Sequence, residues 1–144
     1  MSPTLLGRIQ TRIFVLVVIG GLWTLIITPG VPMSVPLGDR YKATYGILAI
    51  ITVLGIGWEF IYHFLQQWRW EKDWPTLYGL LQGIPEGIVA YFVAHAGVIS
   101  WTKGVSASAF VVAFATTWIV TWVWVNGPMR VVSIYWRFRG GRLL

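Results

Sequence analysis

The sequence predicts an all-α integral membrane protein: four transmembrane helices with both termini cytoplasmic, and a C-terminal interfacial amphipathic helix. Of its 144 residues, 56% are hydrophobic and only 11% are charged, whereas soluble domains carry about 25% charged residues. The apolar residues also form runs close to the ~20 residues that a helix needs to cross a bilayer. This composition excludes a soluble enzyme and a nucleic-acid-binding module, and the length fits a single domain.

Four apolar stretches define the predicted spans of this single membrane domain, residues 1–144. They cover residues 13–28, 44–65, 77–100 and 106–125. The first stretch is shorter than the ~20 residues that normally cross the bilayer. Arg8 and Arg12 precede it, and we expect both side chains to snorkel to the headgroups and so extend its reach.

The chain after the fourth span predicts an amphipathic tail. Asn126-Gly127-Pro128 should break the helix, and a second helix then covers residues 129–139. Its apolar residues follow helical spacing, at Val131, Ile134, Tyr135 and Phe138. Its basic residues are Arg130, Arg137, Arg139 and Arg142. We expect this helix to lie in the inner interface against anionic lipids; a solvated basic tail would explain the charges alone.

The distribution of Lys and Arg predicts the orientation. With four spans, both termini and the second loop share one side of the membrane. That side carries Arg8, Arg12, Arg69, Lys72, Arg130, Arg137, Arg139 and Arg142, and the other side carries Arg40, Lys42 and Lys103. Both termini are therefore predicted to be cytoplasmic. Abundant Arg, Gly, Trp and Val indicate a GC-rich bacterial genome, so we expect the bacterial plasma (inner) membrane.

Ionisable side chains within the spans mark the candidate functional site, because each is expensive to bury in a bilayer. Glu59 and His63 lie one turn apart in the second span, and Gln82 and Glu86 in the third. Counted from the connecting loop at ~1.5 Å per residue, Glu59 reaches the depth of Glu86. His63 reaches the depth of Gln82 by the same count. Two adjacent carboxylates would share a proton, which predicts a proton or cation site; helix-to-helix hydrogen bonds or a partner contact are the alternatives.

The sequence predicts no metal and no cofactor. There are no cysteines, and di-iron bundles repeat Glu-x-x-His on two helices, whereas here the Glu–His spacing is i, i+4 and occurs once. His63 and His95 differ in depth by about 20 Å at helical rise, too far to share a haem. Nucleotide-binding and zinc-protease motifs are missing. We therefore expect no catalytic activity of the protein's own.

The aromatic residues suggest contacts outside the chain. The sequence contains 10 tryptophans, and Trp118 and Trp122 share one face of the fourth span. Such a face suits lipid or the helices of another protein, and also a pigment or quinone.

Together these features predict an accessory or scaffold subunit of a larger bacterial membrane complex. Its expected partners are the bilayer, anionic lipids at the tail and other membrane subunits, with no nucleic acid. The alternative is a small proton- or cation-coupled transporter or channel. That alternative would use the intramembrane cluster of Glu59, His63, Gln82 and Glu86.

Overall fold

A computed structural model of the protein describes residues 4–69 and 76–143. All regular elements within these ranges are helical. In chain order they are α1 (Leu5–Phe14), a π-helical stretch (Val15–Gly20), α2 (Gly21–Ile27), a 3-10 turn (Thr28–Gly30), α3 (Leu37–Gln67), α4 (Thr76–Leu81), α5 (Gly83–His95), a second 3-10 turn (Ser100–Thr102), α6 (Ala107–Asn126), α7 (Pro128–Val132) and α8 (Ile134–Phe138). Lys72, one of the residues used to predict orientation, lies outside the described residues.

Four helical runs are long and apolar enough to cross a membrane. They are Leu5–Gly30, Leu37–Gln67, Thr76–His95 and Ala107–Val132. The prediction of an all-helical membrane protein with four candidate spans is confirmed at this level. The first run begins well before the predicted apolar stretch 13–28, so Arg8 and Arg12 lie inside its helix.

The first span is continuous, although its helical geometry changes. Thr4 caps its start, and the Thr4 side chain accepts a hydrogen bond of 3.1 Å from the Gly7 amide. The π-helical stretch then joins α1 to α2 without a break. A π-helical turn adds a residue to the turn and rotates the following side chains. The stretch buries Val15 and Leu16 against the other spans.

The core lies where α3, α5 and α6 meet. Ile47 and Ile51 of α3 are buried there with Ala90 and Ala94 of α5 and Ala109 of α6. The three alanines are almost completely inaccessible. Small residues let membrane helices approach closely, so that van der Waals contact replaces the hydrophobic effect that lipid does not supply.

Glycines of the third span face aromatic rings of the fourth span in an antiparallel register. The pairs are Gly79 with Trp122, Gly83 with Trp118, and Gly87 with Phe114. The indole nitrogen of Trp118 also donates to the Leu80 carbonyl (3.2 Å), and that of Trp122 donates to the Thr76 carbonyl (3.0 Å). Both tryptophans, which the sequence suggested for lipid or partner contact, are therefore half-buried and packed inside the chain.

The third span is interrupted between α4 and α5. Gln82 separates the two helices, and Pro85 follows three residues later. Proline has no backbone N–H, so it cannot donate to the carbonyl of Leu81 four residues earlier. The interruption follows from that missing hydrogen bond. It places the Gln82 side chain at the junction.

The predicted tail helix 129–139 is two helices of five residues each, α7 and α8, which meet at Ser133. Met129 and Trp136 are buried. The arginines at positions 130, 137, 139 and 142 are exposed. The tail thus presents its basic side chains outward and anchors one apolar residue from each short helix.

The tail packs against α1. The indole nitrogen of Trp136 donates to Thr11 Oγ1 at 2.7 Å, and Thr11 Oγ1 donates to the Gly141 carbonyl at 2.8 Å. The Thr4 amide donates to the Gly140 carbonyl at 2.9 Å. Gly7 permits this approach, since a Cβ there would overlap the Gly140 backbone. Residue 4 and residue 143 therefore lie at the same end of the bundle.

We expect Gly83→Ala to destabilise the protein. A Cβ at residue 83 would lie 2.6 Å from the Trp118 indole nitrogen, and overpacking of this kind costs about 1–3 kcal/mol of unfolding free energy. Gly57→Ala is the matched control, since a Cβ there meets nothing within 4 Å. Thermal unfolding in detergent should show a lower midpoint for Gly83→Ala only. Equal midpoints for the two variants would contradict the proposed Gly–aromatic contact.

Candidate functional site: a buried Arg–Glu cluster

Arg12 of α1 lies between two carboxylates from two other spans. Its Nε donates to Glu59 Oε1 of α3 at 2.6 Å. Its two terminal nitrogens bind both carboxylate oxygens of Glu86 on α5, Nη1 to Oε2 at 2.6 Å and Nη2 to Oε1 at 3.0 Å. The planar guanidinium matches this two-point contact with a carboxylate. One side chain thus connects the first, second and third spans.

Arg8 extends the contact by one helical turn. Its Nη1 lies 3.4 Å from Glu59 Oε2. Its Nη2 and Nε donate to Gln66 Oε1 on α3, at 2.6 and 3.2 Å. Because Glu59 and Gln66 are seven residues apart, they share a face of α3 and meet the i, i+4 pair of arginines.

A glycine creates the space for Arg12. Gly55 lies one turn before Glu59 on α3, and a Cβ there would lie 2.6 Å from Arg12 Cδ. The absence of a side chain at residue 55 therefore lets the arginine stem cross α3. On its other side, Arg12 Cζ lies 5.7 Å from the Trp118 ring centroid, which adds a cation–π contact.

The charges of the Arg–Glu cluster, which we define as Arg8, Arg12, Glu59 and Glu86, sum to zero. Each of the four side chains is at most 9% exposed. Buried charges are tolerated when they are paired and hydrogen-bonded, whereas removing one partner leaves an uncompensated charge. The structure brings Glu59 and Glu86 to a common site, as their depth suggested. The sequence predicted that the two carboxylates share a proton. In the structure the Arg12 guanidinium, which stays charged in proteins, lies between them instead.

The other two residues of the predicted cluster do not join this network. His63 Nε2 lies 3.4 Å from the side-chain nitrogen of Gln67 on the same helix. The Gln82 side-chain nitrogen is buried and has no hydrogen-bond partner among the described residues. The predicted contact of His63 with Gln82 is therefore not formed in this structure.

Arg8 and Arg12 are the residues that sequence reasoning missed. They were expected to reach the headgroups, yet their side chains are buried and paired within the bundle. The sequence carried a signal for this pairing, because the predicted second and third spans hold two carboxylates and no Lys or Arg. Intramembrane charges pair with one another, and the i, i+4 arginines beside the first span were the nearest counterions.

A cavity of about 240 Å³ opens beside the cluster, and we call it the Arg-lined cavity. It lies between α1, α4, α6 and the tail. Its lining includes Arg8, Arg12, Gln82, Trp118, Trp122 and Arg130. Glu59 also lines it, so the ion-pair network borders the cavity on one side.

A second, much smaller cavity lies further along the core. It measures about 10 Å³, room for about one water molecule. Thr24, Thr44 and Thr117 lie in its wall together with apolar residues. In residues 4–69 and 76–143, no three His, Asp or Glu side chains come together as a metal-binding group.

Comparisons of the chain with protein families, with curated proteins and with solved structures find no match.

We expect Arg12→Met to cost about 3–5 kcal/mol of unfolding free energy, because it leaves a buried carboxylate unpaired. The double variant Arg12→Met/Glu86→Gln retains the Arg8–Glu59 pair and restores a neutral cluster. It should therefore be more stable than Arg12→Met alone. Denaturant unfolding in micelles, analysed as a double-mutant cycle, measures the difference. Additive losses in the double variant would show that Arg12 and Glu86 do not interact.

Proposed function

We propose that the protein is a non-catalytic scaffold or accessory subunit of a larger membrane complex. The observation that carries this proposal is the neutral Arg–Glu cluster, in which one arginine holds carboxylates of two other spans. Its charged groups are used to fix the relative positions of α1, α3 and α5. A bundle held in this way offers a rigid surface, which is what a scaffold subunit requires.

One exposed surface suits a partner helix. α3 is 31 residues long, about 46 Å at helical rise, and therefore exceeds the ~30 Å hydrocarbon thickness. Towards its C-terminus, Phe60, Phe64 and Trp68 follow i, i+4 spacing and are all exposed. We call these three residues the aromatic stripe. We assign the partner contact to this stripe, since Trp118 and Trp122 pack inside the chain.

We place the protein in the bacterial inner membrane with both termini cytoplasmic. Two observations support this orientation. Thr4 and Gly140 are hydrogen-bonded at one end of the bundle, and the exposed tail arginines lie at that end too. Basic residues favour the cytoplasmic side and its anionic lipids.

The first test is the native mass of the protein after gentle extraction from its own membrane, with every co-purifying chain identified. We expect a larger assembly of fixed stoichiometry. Phe64→Ala should release the protein from it, whereas Phe92→Ala, a phenylalanine of similar exposure on α5 (67% against 61%), should not. A lone chain or a homo-oligomer would contradict the scaffold proposal.

A second candidate function, proton- or cation-coupled transport, is favoured by the two cavities. The Arg-lined cavity reaches Glu59 and Arg12. The second, smaller cavity lies separately in the core and has three threonines among the residues of its wall. Intramembrane carboxylates beside such cavities are typical of proton and ion pathways.

Transport predicts that Glu86→Gln abolishes flux while the protein remains folded. Purified protein would be reconstituted in vesicles containing a pH-sensitive dye, and proton uptake would be followed under an imposed membrane potential. Asp39→Asn is the control, because Asp39 is exposed at the start of α3. No flux by the unmodified protein, or equal flux for both variants, would exclude this candidate; circular dichroism checks that each variant is folded.

A further inference from the structure

The Arg-lined cavity has the charge of an anion-binding site. Among the residues that the structure describes, Arg8, Arg12 and Arg130 contribute basic groups to its lining and Glu59 contributes the acidic group. The cluster beside it is neutral as a whole, so Arg130 adds net positive charge. Arg130 is exposed, and its Nη2 donates to Asn126 Oδ1 at 3.0 Å, which holds the guanidinium at the α6–α7 junction.

The cavity also contains a donor without an acceptor. The Gln82 side-chain nitrogen is buried and has no partner among the residues that the structure describes, and Gln82 lines the cavity. A buried donor left unsatisfied costs free energy, so an occupant with acceptor oxygens would be favoured. Gln82 lies at the interruption between α4 and α5, in the wall of this cavity.

The rest of the lining indicates an amphiphilic occupant. Trp118, Trp122 and Trp136 are part of the wall, and tryptophan is enriched at the level of lipid headgroups. The volume, about 240 Å³, is below the ~300–1,000 Å³ typical of pockets for drug-sized ligands. It can hold a headgroup, while acyl chains would remain in the bilayer.

We propose that this cavity binds the phosphate headgroup of an anionic phospholipid. Arg130 and the Gln82 amide supply donors to the phosphate oxygens, and the tryptophans contact the glycerol and upper chain region. Binding at this site differs from a general attraction of the tail to an anionic membrane surface, because the site requires Gln82, an uncharged residue of the third span. It depends on neither a partner subunit nor transport.

Native mass spectrometry of the full chain in detergent can test this proposal by titration with phosphatidylglycerol, phosphatidylcholine or inorganic phosphate. We expect one phosphatidylglycerol to bind more tightly than phosphatidylcholine. Gln82→Leu, which removes the amide but keeps similar bulk, should weaken that binding roughly tenfold, as expected for one hydrogen bond to a charged group. Arg130→Gln should weaken it at least as much.

Arg137→Gln is the matched control, because Arg137 is exposed on the same tail but does not line the cavity. Unchanged binding by this variant supports the site. If Arg130→Gln and Arg137→Gln weaken lipid binding equally and Gln82→Leu has no effect, the lipid is held by general attraction to the basic surface. That result would overturn the proposal. Inorganic phosphate that displaces the lipid with the same dependence on Gln82 would show that a soluble anion is the ligand, and would overturn the lipid assignment.

Discussion

The position of Arg12 between Glu59 and Glu86 is the contact on which the rest of the bundle depends. It is made inside a membrane span, where an unpaired charge is expensive, so each member of the Arg–Glu cluster requires the others. The contact fixes the rotation of α1, α3 and α5 as well as their spacing, because Arg12 binds both oxygens of Glu86 while its Nε holds Glu59. Apolar packing alone would constrain the rotation of these helices less.

Glycine and alanine positions make that contact possible. Gly55 admits the Arg12 stem beside α3, and alanines of α5 and α6 allow close packing in the core. Glycines of the third span also accept the rings of α6. The third span thus makes a charged contact with α1 and an aromatic contact with α6, and its interruption near Pro85 places Gln82 on the wall of the Arg-lined cavity.

Sequence patterns were sufficient for the class of fold and for part of the site. Long apolar runs predict spans because the bilayer excludes unpaired polar backbone, and counting residues from the loop placed Glu59 beside Glu86. Arg8 and Arg12 were missed because the predicted first span was limited to its apolar run. A membrane helix can extend into charged residues when these residues have counterions inside the bundle. Hydropathy carries no information about such pairing, which is a tertiary contact between residues about 50 to 75 positions apart.

Tertiary contacts that hydropathy does not predict also determine where Trp118, Trp122 and the tail lie. Trp118 and Trp122 were read as an outward surface, but their spacing matches that of Gly79 and Gly83 on an antiparallel neighbour, a signal visible only when the two helices are compared. In the tail, apolar spacing predicted one helix across Ser133. The buried residues Met129 and Trp136 instead pack in one cluster with Val15, and the backbone leaves helical geometry at Ser133 between them.

The order of the cluster in the chain has a consequence for biogenesis. Arg8 and Arg12 leave the ribosome before Glu59 and Glu86, so the first helix reaches the membrane without its counterions. Until the third span arrives, the favourable location for both guanidiniums is the headgroup layer, and the first helix must move deeper when the acids become available. The tail, which packs on α1 through Thr4 and Thr11, is synthesised after the four spans and then packs over that helix. The final depth of the first span is therefore set after its insertion, by residues synthesised later.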